Sequence, residues 1–139
     1  MPHESWPKRV LRIVAALAMV WIGIKHFTSP APFVRIVPSF LPAPLALVYI
    51  SGLFEILGGI GLLVARVHRA AAFGLVALYV AVFPANINMA VNHIQLDPGD
   101  QLPGWAMWLR LPFQGLFIAW MIWLSRTPKH PPSGEHRED

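Results

Sequence analysis

The sequence contains no cysteine. A chain without thiols forms no disulfide, runs no thiol–disulfide exchange and holds no zinc or iron–sulfur cluster through thiolates, which excludes a class of membrane redox mechanism. Charge is scarce as well. Asp, Glu, Lys and Arg make up 13% of the chain against 55% hydrophobic residues, with a mean hydropathy of +0.52, a balance that excludes an ordinary soluble domain. A hydrocarbon core about 30 Å thick takes roughly 20 mostly apolar residues per helix. The 139 residues hold four such segments joined by short connectors. The expected fold is therefore all-α, an integral membrane four-helix bundle over residues 10–125, with spans at about 10–27, 45–65, 70–90 and 107–124. Residues 1–9 form a short N-terminus, and the proline-rich, charged stretch 126–139 reads as a disordered tail.

The pI near 10.1 does not mark a nucleic-acid binder, because the basic residues flank hydrophobic segments instead of forming a patch interleaved with aromatics. They read as topology signals. Of the 11 Lys and Arg residues, all but Lys25, Arg35 and Arg110 fall in the N-terminus, the Arg66–Arg69 turn or the tail, which places both termini in the cytoplasm. The three exceptions lie on the opposite side, where that rule gives them no reason to be. The first span begins like a signal peptide, but Trp21 to His26 stand where a cleavage site needs small residues, so an uncleaved helix is expected, with Arg12 and Lys25 snorkelling from its ends.

The following segment, SPAPFVRIVPSFLPAP, carries Pro30, Pro32, Pro38, Pro42 and Pro44, which remove amide donors and break any long helix. Between them Phe33 to Val37 is apolar except for Arg35, the pattern of a partly re-entrant or interfacial segment able to act as a lid. Trp105 and Trp108 read as interfacial anchors before the fourth span.

One carboxylate, Glu55, stands in the middle of the second span, in SGLFEILGGIGLL. About ten residues separate it from each end, which at about 1.5 Å per residue puts it near the bilayer midplane. An acid there costs about 2.5–3.5 kcal/mol on insertion scales unless it faces the bundle interior, pairs or takes up a proton. Ser51, Gly52, Gly58 and Gly59 share its face and let a neighbouring helix approach closely. Glu55 is either a functional group or a hydrogen-bonded tie between helices.

In the third span, FPANINMA places Asn86 and Asn88 after Pro84, whose missing N–H frees a carbonyl one turn back. The two asparagines are nearly opposite on a regular helix, so either the proline distorts the turn or one of them reaches the loop-side interface. Tyr79, Asn86 and His93, spaced by seven, suggest a polar stripe; a proline kink patched by an amide explains the same residues. In the fourth span Arg110 and Gln114 share a face at i and i+4. Arg110 is the natural counter-charge for Glu55 but lies nearer the outer end of its helix, and Gln114, one turn deeper, is the alternative contact. His26 ends the first span with a group that titrates near neutral pH. The histidines have no HxxxH or ExxH spacing, so no metal is expected.

His26, Glu55, Asn86 and Arg110 come from four different helices and converge on the outer half of the bundle. With Tyr49, Tyr79 and Gln114 they would line a pocket for a small amphipathic molecule, a quinone or a lipid among them.

The order GIKHF, proline-rich segment, SGLFEILGGIGLL, basic turn, VFPANINMA and RLPFQ, spanning about residues 10 to 125, resembles the DoxX-like family of small four-helix bacterial membrane proteins. That resemblance implies a four-helix bundle in the bacterial cytoplasmic (inner) membrane and a link to quinone-coupled redox. It places the family's polar positions on His26, Glu55, Pro84, Asn86, Arg110 and Gln114. The expectation is an accessory or binding subunit with no intrinsic cofactor, a bound quinone or other amphipath, Glu55 and His26 as candidate proton relay, and a membrane redox partner or a homo-oligomer. No flavin, haem or metal signature is present, so electrons would come from the partner rather than from a self-contained oxidoreductase. The alternative is a structural or chaperone-like assembly protein whose polar core serves helix packing.

Overall fold

The computed structural model of the protein describes residues 4–99 and 101–126, so the expected disordered tail falls, Arg126 apart, outside the described residues. Five α-helices, and no strand among the described residues, follow in the order α1 (Trp6–Thr28), α2 (Ala31–Ile36), α3 (Pro44–Leu62), α4 (His68–Val91) and α5 (Gly104–Ser125). Four of them, all but α2, are long and apolar enough to cross a membrane, the mark of a multi-pass membrane protein.

Helix α1 starts four residues earlier than the apolar run predicts, with Pro7 in its first turn, where the missing N–H costs nothing. This takes Lys8 and Arg12 into the helix, and both are buried. Arg12 does not snorkel. Its Nη2 donates to the Leu124 carbonyl at 3.0 Å, satisfying one of the orphan acceptors at the end of α5, and it forms a buried ion pair with Glu4. Lys8 Nζ donates to the Arg126 carbonyl and lies over the Trp123 ring. Lys25, by contrast, is exposed and extends over Trp21, 4.9 Å from the ring centroid.

The long helices run antiparallel in sequence order. A Cβ built on Gly59 would lie 2.8 Å from the Ala16 carbonyl oxygen, and one on Gly23 would lie 2.7 Å from that of Gly52, so α1 and α3 touch backbone to backbone. Small residues permit that approach, and dispersion and packing hold it where lipid supplies no hydrophobic drive between helices. Gly58 likewise sits under Leu75 of α4, and Gly61 under Ala71.

Two apolar clusters divide the interior. The larger, at the end nearest the chain termini, packs Ala15, Ala16 and Met19 of α1 with Leu62, Ala72, Leu75, Met121 and Leu124. The smaller, at the opposite end, packs Ile36 of α2 with Met89, Ala90 and Met107. His26, Glu55 and Gln114 lie between them, whereas Lys8, Arg12 and Ser125 are buried at the end nearest the termini.

The prolines end helices as expected, yet the segment between Pro30 and Pro38 still closes a short helix. Asn88 Nδ2 donates to the Ile36 carbonyl at 2.9 Å, and Arg35 Nη1 donates to the Leu96 carbonyl at 3.2 Å, tying α2 to α4 and to the loop beyond it. Asn88 is thus the asparagine that reaches outward.

Candidate functional site

Gly52 stands opposite His26: a Cβ there would lie 2.6 Å from the His26 Cβ. Helix α1 therefore ends about level with Gly52, and the first two turns of α3 run on beyond it. The space that opens beside those turns is flanked by α2. A cavity of about 460 Å³ occupies it, walled by side chains from all five helices. Most of its lining is apolar, including Ile22, Phe33, Leu47, Phe54 and Val82; its polar groups are His26, Ser51, Glu55, Tyr79, Asn86 and Arg110. Five of the seven residues chosen from sequence thus line one cavity.

The other two are elsewhere. Tyr49 stacks on Phe27 at 5.3 Å between ring centroids and is exposed, because it lies about 100° round the helix from Val48, on the buried face of Val48, Gly52, Glu55 and Gly59. Gln114 is buried behind the cavity wall. Its Nε2 donates to the Tyr79 carbonyl, and its Oε1 accepts from Asn86 Nδ2 at 2.5 Å, so one amide ties α5 to α4 twice. The tie falls where Pro84 has removed an N–H from the α4 ladder and left the carbonyl of Val80, next to Tyr79, without its helical donor. Interhelical hydrogen bonds in membranes average about 0.6 kcal/mol each, so this bridge sets register more than stability. For Asn86 and Gln114 the packing role is real.

Glu55 pairs with neither Arg110 nor Gln114. Its Oε2 lies 3.1 Å from His26 Nδ1, and the two side chains are 8% and 9% exposed. The same Nδ1 lies 2.8 Å from the Ile22 carbonyl, which can only accept, so Nδ1 carries a hydrogen. The ring is thereby fixed as the Nδ1–H tautomer when neutral, leaving Nε2 to accept or to take the next proton. Phe33 of α2 stacks on that ring at 3.8 Å between centroids and 18° between planes. On the other side the Tyr79 hydroxyl has Glu55 Oε1 and Met19 Sδ at 3.4 Å each, two long contacts sharing one hydrogen. Glu55 is thus buried on the cavity wall beside one close partner, with its Oε2 receiving no hydrogen bond among the described residues.

Arg110 is on the wall of the same cavity, one turn nearer the start of α5 than Gln114, with Nη1 3.4 Å from Met89 Sδ. The stripe of Tyr79, Asn86 and His93 stops at Asn86. His93 lies beyond the end of α4 with φ 51°, a left-handed conformation, and its ring packs by Gly104.

The model of a family described as a domain of unknown function (DUF8561) matches residues 15–125. The chain belongs to that family. No curated protein and no solved structure matches it. The DUF8561 range takes in every group that lines the cavity and leaves out Glu4, Lys8 and Arg12, the polar cluster at the other end of the bundle.

The missed pairs have physical reasons. Charge complementarity alone pointed Glu55 at Arg110, whereas the register of α1 on α3 decides the contact. That register has a trace in the sequence: Gly23 and His26 are three residues apart on α1, as are Gly52 and Glu55 on α3, and the antiparallel packing sets Gly52 against His26 and Gly23 against the Gly52–Ile56 turn, which brings the His26 side chain within reach of Glu55.

Proposed function

We propose that this DUF8561 protein is a membrane accessory or binding subunit that holds a quinone-like or other small amphipathic molecule in the cavity. The supporting observation is the cavity itself: about 460 Å³, within the 300–1,000 Å³ usual for small-molecule sites, with apolar walls and a few convergent polar groups. Glue between helices needs no such space. On the charge distribution both termini face the cytoplasm, the cavity lies in the outer half of a bacterial inner-membrane bundle, and α2 is its partly re-entrant lid. We also propose kinship with the DoxX-like proteins on the order of motifs.

A quinone fits the groups present. Its ring suits the aromatic and aliphatic walls, and its carbonyl oxygens accept from Arg110 and from the Glu55–His26 pair. Reduction takes two electrons, from a membrane redox partner, and two protons. His26 Nε2 and the Glu55 carboxyl are the groups of this chain placed to pass those protons, one at a time, with Nδ1–H remaining on the Ile22 carbonyl.

Glu55→Gln tests the reading, because it keeps shape and removes the titrating oxygen. Hydrogen bonds to charged groups contribute about 1.5–3 kcal/mol, so affinity for the copurifying molecule should fall at least about tenfold, and its yield with the protein should drop, while the helical circular dichroism stays unchanged. Mass spectrometry of the small molecules extracted from both purified proteins measures it. If both proteins are folded and empty, and the wild type captures a membrane protein, the polar core serves packing and the chain is a structural or chaperone-like assembly factor.

A further inference from the structure

Arg110 raises a separate question. Among the described residues its guanidinium has one hydrogen-bond partner, the Met89 thioether at 3.4 Å, and neither ion pair uses it. A thioether is a weak acceptor, and a guanidinium presents five donors in a planar fork. This cation lies within a helix apolar enough to cross a membrane, on a cavity wall that is mostly hydrocarbon. Such a residue is a functional-site hypothesis by default.

The acid on that wall is engaged elsewhere: Glu55 lies against His26 and the Tyr79 hydroxyl, and no ion pair joins it to Arg110. Among the described residues Arg110 therefore has no carboxylate within ion-pair distance. Asn86, on the same wall, commits one amide hydrogen to Gln114 and retains a second.

We propose that the cavity selects an amphipath with an oxyanion head, a carboxylate or a phosphate, gripped by the Arg110 fork with its apolar tail along the α2–α3–α4 walls. The proposal rests on the reading of the cavity as a ligand site and, within it, favours an anionic amphipath over a neutral quinone. Two oxygens of a carboxylate or of a phosphate accept two parallel N–H bonds from a guanidinium, which a neutral hydroxyl cannot.

The test uses three probes of equal tail length, hexadecanoate, hexadecyl phosphate and hexadecanol, added to the full chain in phosphatidylcholine nanodiscs, with empty nanodiscs as the partition control. Binding is read by native mass spectrometry. At least one anion should bind the wild type at least about tenfold more tightly than the alcohol. Arg110→Gln should reduce that preference to near unity, and Arg110→Lys should retain part of it, since a point charge replaces the fork. Preference for hexadecanoate alone names a carboxylate head, and preference for hexadecyl phosphate alone a phosphate head. Equal binding of all three probes overturns the oxyanion assignment while leaving the cavity as a site. Binding of none overturns both. An anion preference that survives Arg110→Gln overturns the role of Arg110, and the wild-type ratio decides the charge selection even if that variant fails to fold.

Discussion

Arg12→Ala should cost the bundle about 3 kcal/mol, read as a lower denaturant midpoint for unfolding in mild detergent. Two consequences add. The Leu124 carbonyl loses the donor that caps α5, and Glu4, whose side chain is 5% exposed, keeps a buried charge without its partner. Removing one member of a buried pair costs about 3–5 kcal/mol, and the low end applies because Glu4 precedes α1 and can turn toward water. Replacing both residues with methionine should recover most of the loss, since apolar substitutes of similar volume restore packing and leave no orphan charge.

The same pair gives a pH dependence with a definite sign. Burial pushes the Glu4 carboxyl up, but the hydrogen bond and charge of Arg12, with Lys8 behind them, outweigh it and hold the group below its ordinary value of 4.5. A carboxylate depressed in the folded state stabilises fully above that ordinary value, and the contribution is lost as pH falls through the lowered one. Wild-type stability should therefore decline on the acid side of 4.5, and Arg12→Ala should flatten that part of the curve.

Gly23→Val should be as damaging for a different reason. Even the first carbon of a side chain there would stand 2.7 Å from the Gly52 carbonyl oxygen and 3.1 Å from the Ile56 amide nitrogen, both backbone atoms that cannot rotate away. Helix α1 must then move off α3. Overpacking costs about 1–3 kcal/mol, and a branched residue against backbone belongs at the top of that range. The separation also pulls His26 away from Glu55, so ligand occupancy should fall with stability. Gly74 and Gly115, whose added Cβ would meet nothing within 4 Å, provide the control: alanine at either should be neutral or stabilise by up to about 1 kcal/mol through helix propensity. Thermal unfolding followed by tryptophan fluorescence compares the three.

The spans were legible because the length of an apolar run is a direct requirement of the bilayer. Their ends were not. Lys8 and Arg12 look like flanking charges, yet inside the helix they donate to Glu4 and to the carbonyls closing α5, a solution that depends on where α5 ends in space. Short helix α2 was hidden by its prolines, whose local effect is to break structure; the bonds from Asn88 and Arg35 that fix its place are long-range. The polar centre was legible in part. Burial of Glu55 followed from its glycine neighbours, and convergence with His26, Tyr79, Asn86 and Arg110 followed from helix positions. Tyr49 was misplaced because helical phase, not depth, sends it outside.

The central claim is that the cavity holds a molecule, and the direct measurement is native mass spectrometry of the chain released from native-lipid nanodiscs, wild type against Ser51→Trp. Ser51 lines the cavity and is partly buried, so an indole there fills the space while the Glu55 and His26 side chains themselves stay unchanged. The account predicts one small molecule retained per wild-type chain and a bare, folded Ser51→Trp chain. A bare wild type, or an adduct equally abundant in both proteins, would contradict it.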